Sequence, residues 1–137
     1  YYVTWDETPL CSWCTVIIND KPVLLVKPKT FMNSSGDIIP FLKKKGISCE
    51  NMLIVHDEME KPFGKIHLKE SGSHRGHNGV RSIISQCGDV FMRLCCGIGR
   101  PAKKEEVPEY VLEVFKESAE EVIEFISNIL EVIEGLL

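Results

Sequence analysis

Met52-Leu-Ile-Val-His-Asp-Glu58 is a four-residue apolar run that ends in three polar residues. A short continuous run of this kind reads as a buried strand of an α/β sheet, with polar side chains delivered at its C-terminal end. Working outward, Lys65-Ile-His-Leu-Lys69 alternates with period two and predicts a strand with one polar face. Phe91–Ile98 predicts another strand, closed by Gly99-Arg100-Pro101. Cys14–Ile18 and Pro22–Val26 are β-branched and Leu-rich, and Asn19-Asp20-Lys21 between them predicts a hairpin turn.

Helices alternate with these strands. Ser34 or Ser35 is placed to cap a helix over 37–45, with Ile38, Ile39, Phe41 and Leu42 inward and Gly46 ending it. Val80–Cys87 has helical spacing and stops at Gly88. Over Ser118–Leu137, Val122, Ile123, Phe125, Ile126, Ile129, Leu130, Val132 and Ile133 recur at 3.6 spacing, which predicts an amphipathic helix whose apolar stripe is core and whose outer face is glutamate-rich. The alternation argues one α/β domain over 1–137 with a mixed sheet.

The chain of 137 residues is long enough to bury a core, and its 44% hydrophobic and 26% charged content is ordinary for a globular protein. No apolar run reaches the ~18–20 residues that span a bilayer. It opens Tyr1-Tyr2-Val3-Thr4-Trp5 rather than with Met, so a preceding segment is expected. The net charge of −4 is uneven. From Pro101 onward three lysines face ten glutamates, whereas Lys61–Arg81 holds Lys61, Lys65, Lys69, Arg75 and Arg81 against the single acid Glu70. A nucleic acid responds to such a local patch rather than to the average, although a solvated basic surface looks the same.

Six cysteines raise the question of metal or redox chemistry. Cys11-Ser-Trp-Cys14 has a C-x-x-C spacing, but Cys95-Cys96 are adjacent within an apolar run and diverge on a strand. A redox pair belongs at a helix start, whereas Cys14–Ile18 reads as a strand. Reduced thiols in a cytosol-like compartment are therefore expected. His67, His74 and His77 are enough histidines for a metal, but His67 lies on a strand and nearby carboxylates are few.

Three polar clusters fall at element ends: Phe31-Met32-Asn33, His56-Asp57-Glu58 and His77-Asn78, the last in Ser71-Gly-Ser-His-Arg-Gly-His-Asn-Gly79. An Asp at a strand end can orient a histidine base, and an Asn amide donates to an oxyanion without titrating. Taken singly, Asp57 serves equally as a cap, Asn33 as a turn residue and Asn78 as a helix N-cap. Asp57-Glu58 cannot be a glycosidase pair, because adjacent strand residues diverge.

Together, these segments resemble the bacterial-type peptidyl-tRNA hydrolase family. Lys27-Pro-Lys-Thr-Phe-Met-Asn-Ser-Ser-Gly36 is similar to the family's P-x-T-[FY]-[MV]-N-x-[ST]-G block, and Ile54–Gly64 to its H-D-E-[LM]-D-x-x-x-G block. Ser71–Gly79 is similar to its G-G-H-N-G block, and Arg93–Pro101 to R-L-[RK]-x-G-[IV]-G-[RH]-P. Tyr110-Val-Leu-Glu-Val-Phe115 fits the Y-V-L-x-x-F that follows. The blocks run in order over about residues 14–135.

The resemblance implies a three-layer α/β/α sandwich around a mixed sheet. It also implies hydrolysis of the ester that joins a peptide to the 3′-terminal ribose of tRNA, with no cofactor and no metal. It places Asp57 as the carboxylate that orients the catalytic histidine, and Asn33 and Asn78 as catalytic asparagines that position ester, peptide backbone and water. Met32, His77, Phe31 and Met59 become substrate contacts, and Lys69 a clamp on tRNA phosphate. Peptidyl-tRNA is the implied partner, the protein a monomer with no membrane partner, in the cytoplasm or an organelle of bacterial origin.

The family's opening strand, its G-[LI]-G-N-P-G loop and its T-R-H-N motif, whose histidine is the general base, have no counterpart before Cys11. Loss of a general base costs about 10²–10⁴-fold, so this chain is expected to be inactive as it stands. Cys95 stands where the family has a basic residue, and Arg75 where it has a glycine. The alternative is a non-hydrolytic relative that binds RNA or a protein partner.

Overall fold

A computed structural model describes residues 3–137. Among the described residues there are six strands: β1 (Asp6–Glu7), β2 (Cys11–Ile18), β3 (Lys21–Pro28), β4 (Leu53–Glu58), β5 (Ile66–Lys69) and β6 (Met92–Gly97). The helices are α1 (Ile39–Lys44), α2 (Asn78–Cys87), α3 (Val107–Tyr110) and α4 (Ala119–Gly135), with short 3-10 turns at Met32–Ile38, Cys49–Asn51 and Lys104–Glu106. The fold class is α/β, as expected. The chain divides into two compact units, one holding the chain up to Ile54 with Lys69–Met92, the other Val55–Leu68 with Arg93–Leu137.

In the first unit β1, β2 and β3 form an antiparallel sheet in that order. Asn19 and Asp20 both take positive φ, 49° and 61°, so the hairpin closes on a two-residue turn with Ile18 opposite Lys21. Two consecutive left-handed residues match the twist of the strands they join, and Asn and Asp tolerate that conformation. The C-x-x-C lies inside β2, and both cysteines are buried. Three apart on a strand, they project to opposite faces and are no ligand pair.

Helix α1 is shorter than expected, and neither Ser34 nor Ser35 caps it. A 3-10 turn runs straight into it through Ile38, and the Ser35 hydroxyl donates to the Met32 carbonyl at 2.7 Å instead. Its end is as read. Gly46, at φ 83°, donates to Lys43, and Ile47 donates to Leu42, which satisfies two orphan carbonyls. Ile38, Ile39 and Leu42 join Cys11, Met52, Val80, Ile83 and Phe91 in the core of this unit.

The second sheet has the order β4-β6-β5. Met92 N–H donates to Met52 at one end and Ile98 N–H to Glu58 at the other, so β4 and β6 run parallel. Gly97 N–H donates to Lys65, setting the start of β5 beside the end of β6, so that pair is antiparallel and the sheet is mixed. The buried central strand is therefore β6, with Arg93, Leu94, Cys95 and Cys96 all buried. β4 is half-buried, and Val55 is 49% exposed. With one neighbouring strand among the described residues, an apolar run that reads as a buried strand lies at an edge.

In the second unit Phe63 stacks edge-on against both Phe115 and Phe125, at 5.6 and 5.0 Å between centroids. Ser118 and Glu121 form a reciprocal capping box that starts α4. The expected core stripe of α4 splits. Phe125 is buried, whereas Ile123, Ile126 and Leu130 are 50% or more exposed. A stripe this broad outruns the surface that the unit offers it. No helix among the described residues is long and apolar enough to cross a membrane.

Candidate functional site

The site residues of the first unit are brought together by two glycines. Gly36 lies against α2: its N–H donates to the Ser82 hydroxyl at 2.8 Å, and an added Cβ would meet the Ser82 carbonyl carbon at 2.8 Å. Gly79, in the first turn of α2, leaves room for Met32, whose sulfur would stand 2.5 Å from a Cβ there. The same Cβ would be 3.1 Å from the His77 ring and 3.2 Å from Ser35 Oγ. The turn that carries Met32 and Asn33 thus rests on the helix start that carries His77 and Asn78. Phe31, Met32, Asn33 and Asn78 are exposed and His77 is half-buried. Lys69, at the end of β5, is half-buried in this unit.

His77, not Asn78, is the N-cap of α2. Its Nδ1 accepts from Val80 N–H at 3.2 Å, so the neutral ring carries its proton on Nε2. Periodicity cannot separate these neighbours, and histidine is not among the usual caps. His74 is held in the same loop, with Nδ1 accepting from Gly76 N–H and Nε2 facing Arg81 Nε at 3.4 Å. Arg75 takes φ 46°, a left-handed position that suits the glycine of the resembled block and strains a side chain.

Asp57 and Met59 belong to the second unit. The chain around them is pinned by backbone bonds from Gly64 to Gly97, Gly97 to Lys65, Ile98 to Glu58 and Gly99 to Lys61. Gly97 is required there, since a Cβ would strike the Pro62 carbonyl oxygen and lie 3.0 Å from that of Lys65. Asp57 lines a cavity of about 170 Å³ with Ile98, Tyr110, Val111 and Phe115, and the Tyr110 hydroxyl donates to Ile98 at 2.5 Å. His56, one residue earlier, has Nδ1 2.7 Å from the Asp57 carbonyl and Nε2 3.5 Å from the Cys95 sulfur. Sequence reasoning missed this Cys95–His56 pair, which only the β4–β6 register brings together.

Burial pushes the Cys96 thiol up to about 11, and the neighbouring Cys95 and Asp57 push it the same way. A raised folded value favours the protonated folded state. Its contribution to stability is complete below the ordinary value of 9.0 and is lost as pH rises from there through 11. Urea unfolding followed by circular dichroism should show a loss of roughly 2 kcal/mol between pH 8.5 and 11.5. Cys96→Ala should shrink that loss, and an unchanged pH dependence in the variant would assign it elsewhere.

Among the described residues, no three His, Cys, Asp or Glu side chains gather as a metal ion would need. The family model described as Peptidyl-tRNA hydrolase matches residues 4–137. The chain belongs to the peptidyl-tRNA hydrolase family. A Hydrogenobaculum protein named Peptidyl-tRNA hydrolase is 42% identical over 114 residues, 80% of this chain and 61% of its own. The Aquifex aeolicus protein of the same name is 45% identical over 108 residues, 77% of this chain and 56% of its own. The crystal structure of peptidyl-tRNA hydrolase from Acinetobacter baumannii aligns with a TM-score of 0.80 at 38% identity, covering 91% of this chain and 64% of that one. The chain thus spans about three fifths of the length of these peptidyl-tRNA hydrolases.

Proposed function

We propose that the chain holds peptidyl-tRNA for hydrolysis of the ester between the peptide and the 3′-terminal ribose, recycling the tRNA for translation. The observation that carries this reading is the contact of the Met32–Asn33 turn with the His77–Asn78 helix start, in a chain of this family. The amides of Asn33 and Asn78 supply non-titrating donors to the ester carbonyl, the peptide backbone and the attacking water. Met32, Phe31, His77 and Met59 contact the substrate. Lys69 clamps a tRNA phosphate within the basic Lys61–Arg81 stretch. Asp57 stands where the family's carboxylate orients the general-base histidine, whose motif has no counterpart in these 137 residues. His77 is not that base in this reading, because its Nδ1 lone pair is committed to Val80 N–H. The protein acts as a monomer wherever translation runs, in the cytoplasm or an organelle of bacterial origin.

An N-blocked aminoacyl-tRNA, the minimal substrate of this class, tests both halves of the proposal. Its affinity should fall steeply with salt, and Lys69→Ala should weaken binding and reduce the slope of log K against log salt by about one. Salt-independent binding would remove the phosphate clamp. Asn78→Ala should impair substrate handling while leaving α2 intact, since the cap is His77. Turnover by these 137 residues should be close to background. Clear turnover that His77→Ala abolishes would make His77 the base and overturn its assignment here.

A further inference from the structure

The expectation of six reduced thiols fails at one pair: Cys49 and Cys87 form a disulfide across 38 residues of sequence. Cys49 opens the 3-10 turn before β4, and Cys87 is the last residue of α2. Their Cα atoms are 6.0 Å apart, within the range that a disulfide bridges. Such a pairing is invisible to spacing rules, because the fold of the first unit brings the two cysteines together.

We propose that Cys49–Cys87 is a reversible thiol–disulfide site, opened by small dithiols and closed by low-molecular-weight disulfides, that clamps the C-terminal end of α2. Access is the first support. Both cysteines are half-buried, whereas Cys11, Cys14, Cys95 and Cys96 are each 8% exposed or less. Thiol–disulfide exchange needs a thiolate to reach a sulfur. Here both sulfur-bearing residues line a solvent-open cleft of about 550 Å³ together with Lys43, Ile47, Gln86 and Val90, roomy enough for a small dithiol.

The second support is that the surroundings hold without the bond. Ile83 and Val80 of α2 pack with Leu42 and Met52 in the core, and Gly88 stops the helix by donating to Ile84 at 2.7 Å. Opening the bond therefore frees the last turn of the helix and not its body. In the forward step a dithiol thiolate attacks one sulfur and expels the other as a thiolate. The second dithiol sulfur then closes on the first, releasing Cys49 and Cys87 as thiols and the reagent as a cyclic disulfide. Two electrons and two protons pass to the protein. In the reverse step a small disulfide takes them back as two thiols.

The native protein is equilibrated across ratios of reduced to oxidised dithiothreitol, quenched with a maleimide and mapped by mass. Cys49 and Cys87 should become labelled together in one two-electron transition, with the other four cysteines unlabelled and the circular dichroism native. Oxidised dithiothreitol should restore the bond. On reduction, amide exchange over residues 85–88 should quicken at least tenfold, and Cys49→Ser/Cys87→Ser should exchange at the fast rate without reductant. A pair that stays oxidised in excess dithiol until denaturant is added overturns the proposal, as does one that does not close again or leaves exchange unchanged. Should the double variant not fold, the titration and exchange of the unsubstituted protein decide it alone.

Discussion

Gly36→Ala is expected to destabilise the first unit by about 3 kcal/mol and, on the function proposed above, to weaken tRNA binding with it. The added methyl would meet the backbone of Ser82 in the middle of α2, with the carbonyl carbon at 2.8 Å and Oγ at 2.9 Å. A helix backbone cannot step aside as a side chain can, so the 3-10 turn must lift off and carry Met32 and Asn33 away from His77 and Asn78. Gly79→Ala provides the contrast. Its nearest neighbour is the thioether of Met32, a flexible end that can swing aside, so its stability cost should be about 1 kcal/mol. Urea midpoints for the two variants measure this directly. A Gly36→Ala midpoint within error of the parent would mean that the turn and the helix are not in backbone contact.

The second large effect belongs to the Cys49–Cys87 bond. Opening a crosslink that closes a 38-residue loop releases denatured-state entropy worth about 4 kcal/mol on the chain-entropy relation. Reductant should therefore lower the urea midpoint of the parent sharply, and it should leave the Cys49→Ser/Cys87→Ser variant unmoved at the lower value. A parent whose midpoint ignores reductant, while its thiols become labelled, would show that the denatured chain gains little from the release.

The parts legible in the sequence were those decided by near neighbours. Asn19-Asp20 names its own turn, Gly46 and Gly88 end their helices, and the periodicity of 119–135 announces α4. The clusters Met32-Asn33 and His77-Asn78 were legible as polar residues at element ends, and two of the blocks that carry the family resemblance contain them. What stayed hidden depends on distant partners. Ser35 gave up its expected cap because the turn before α1 is shaped by Gly36 lying on α2. Val55 lost its expected burial because the central strand is β6. The apolar stripe of α4 looked uniformly inward because a helical pattern counts hydrophobic positions and does not know how wide a surface will receive them.

The tryptophans of the first unit have a consequence for how the molecule is watched. Lys27 stands over the Trp5 ring and Lys45 over Trp13, each 3.8 Å from the ring centroid, and Lys45 also faces Phe41. These are the only tryptophans in the chain. Indole emission responds to a charge on the ring face, so tryptophan fluorescence, excited apart from tyrosine, arises within the first unit. It reports the surroundings of Trp5 and Trp13 and the lysines that stand over their rings. A fluorescence melt and a circular dichroism melt that part company would then time the two units separately, with no label added.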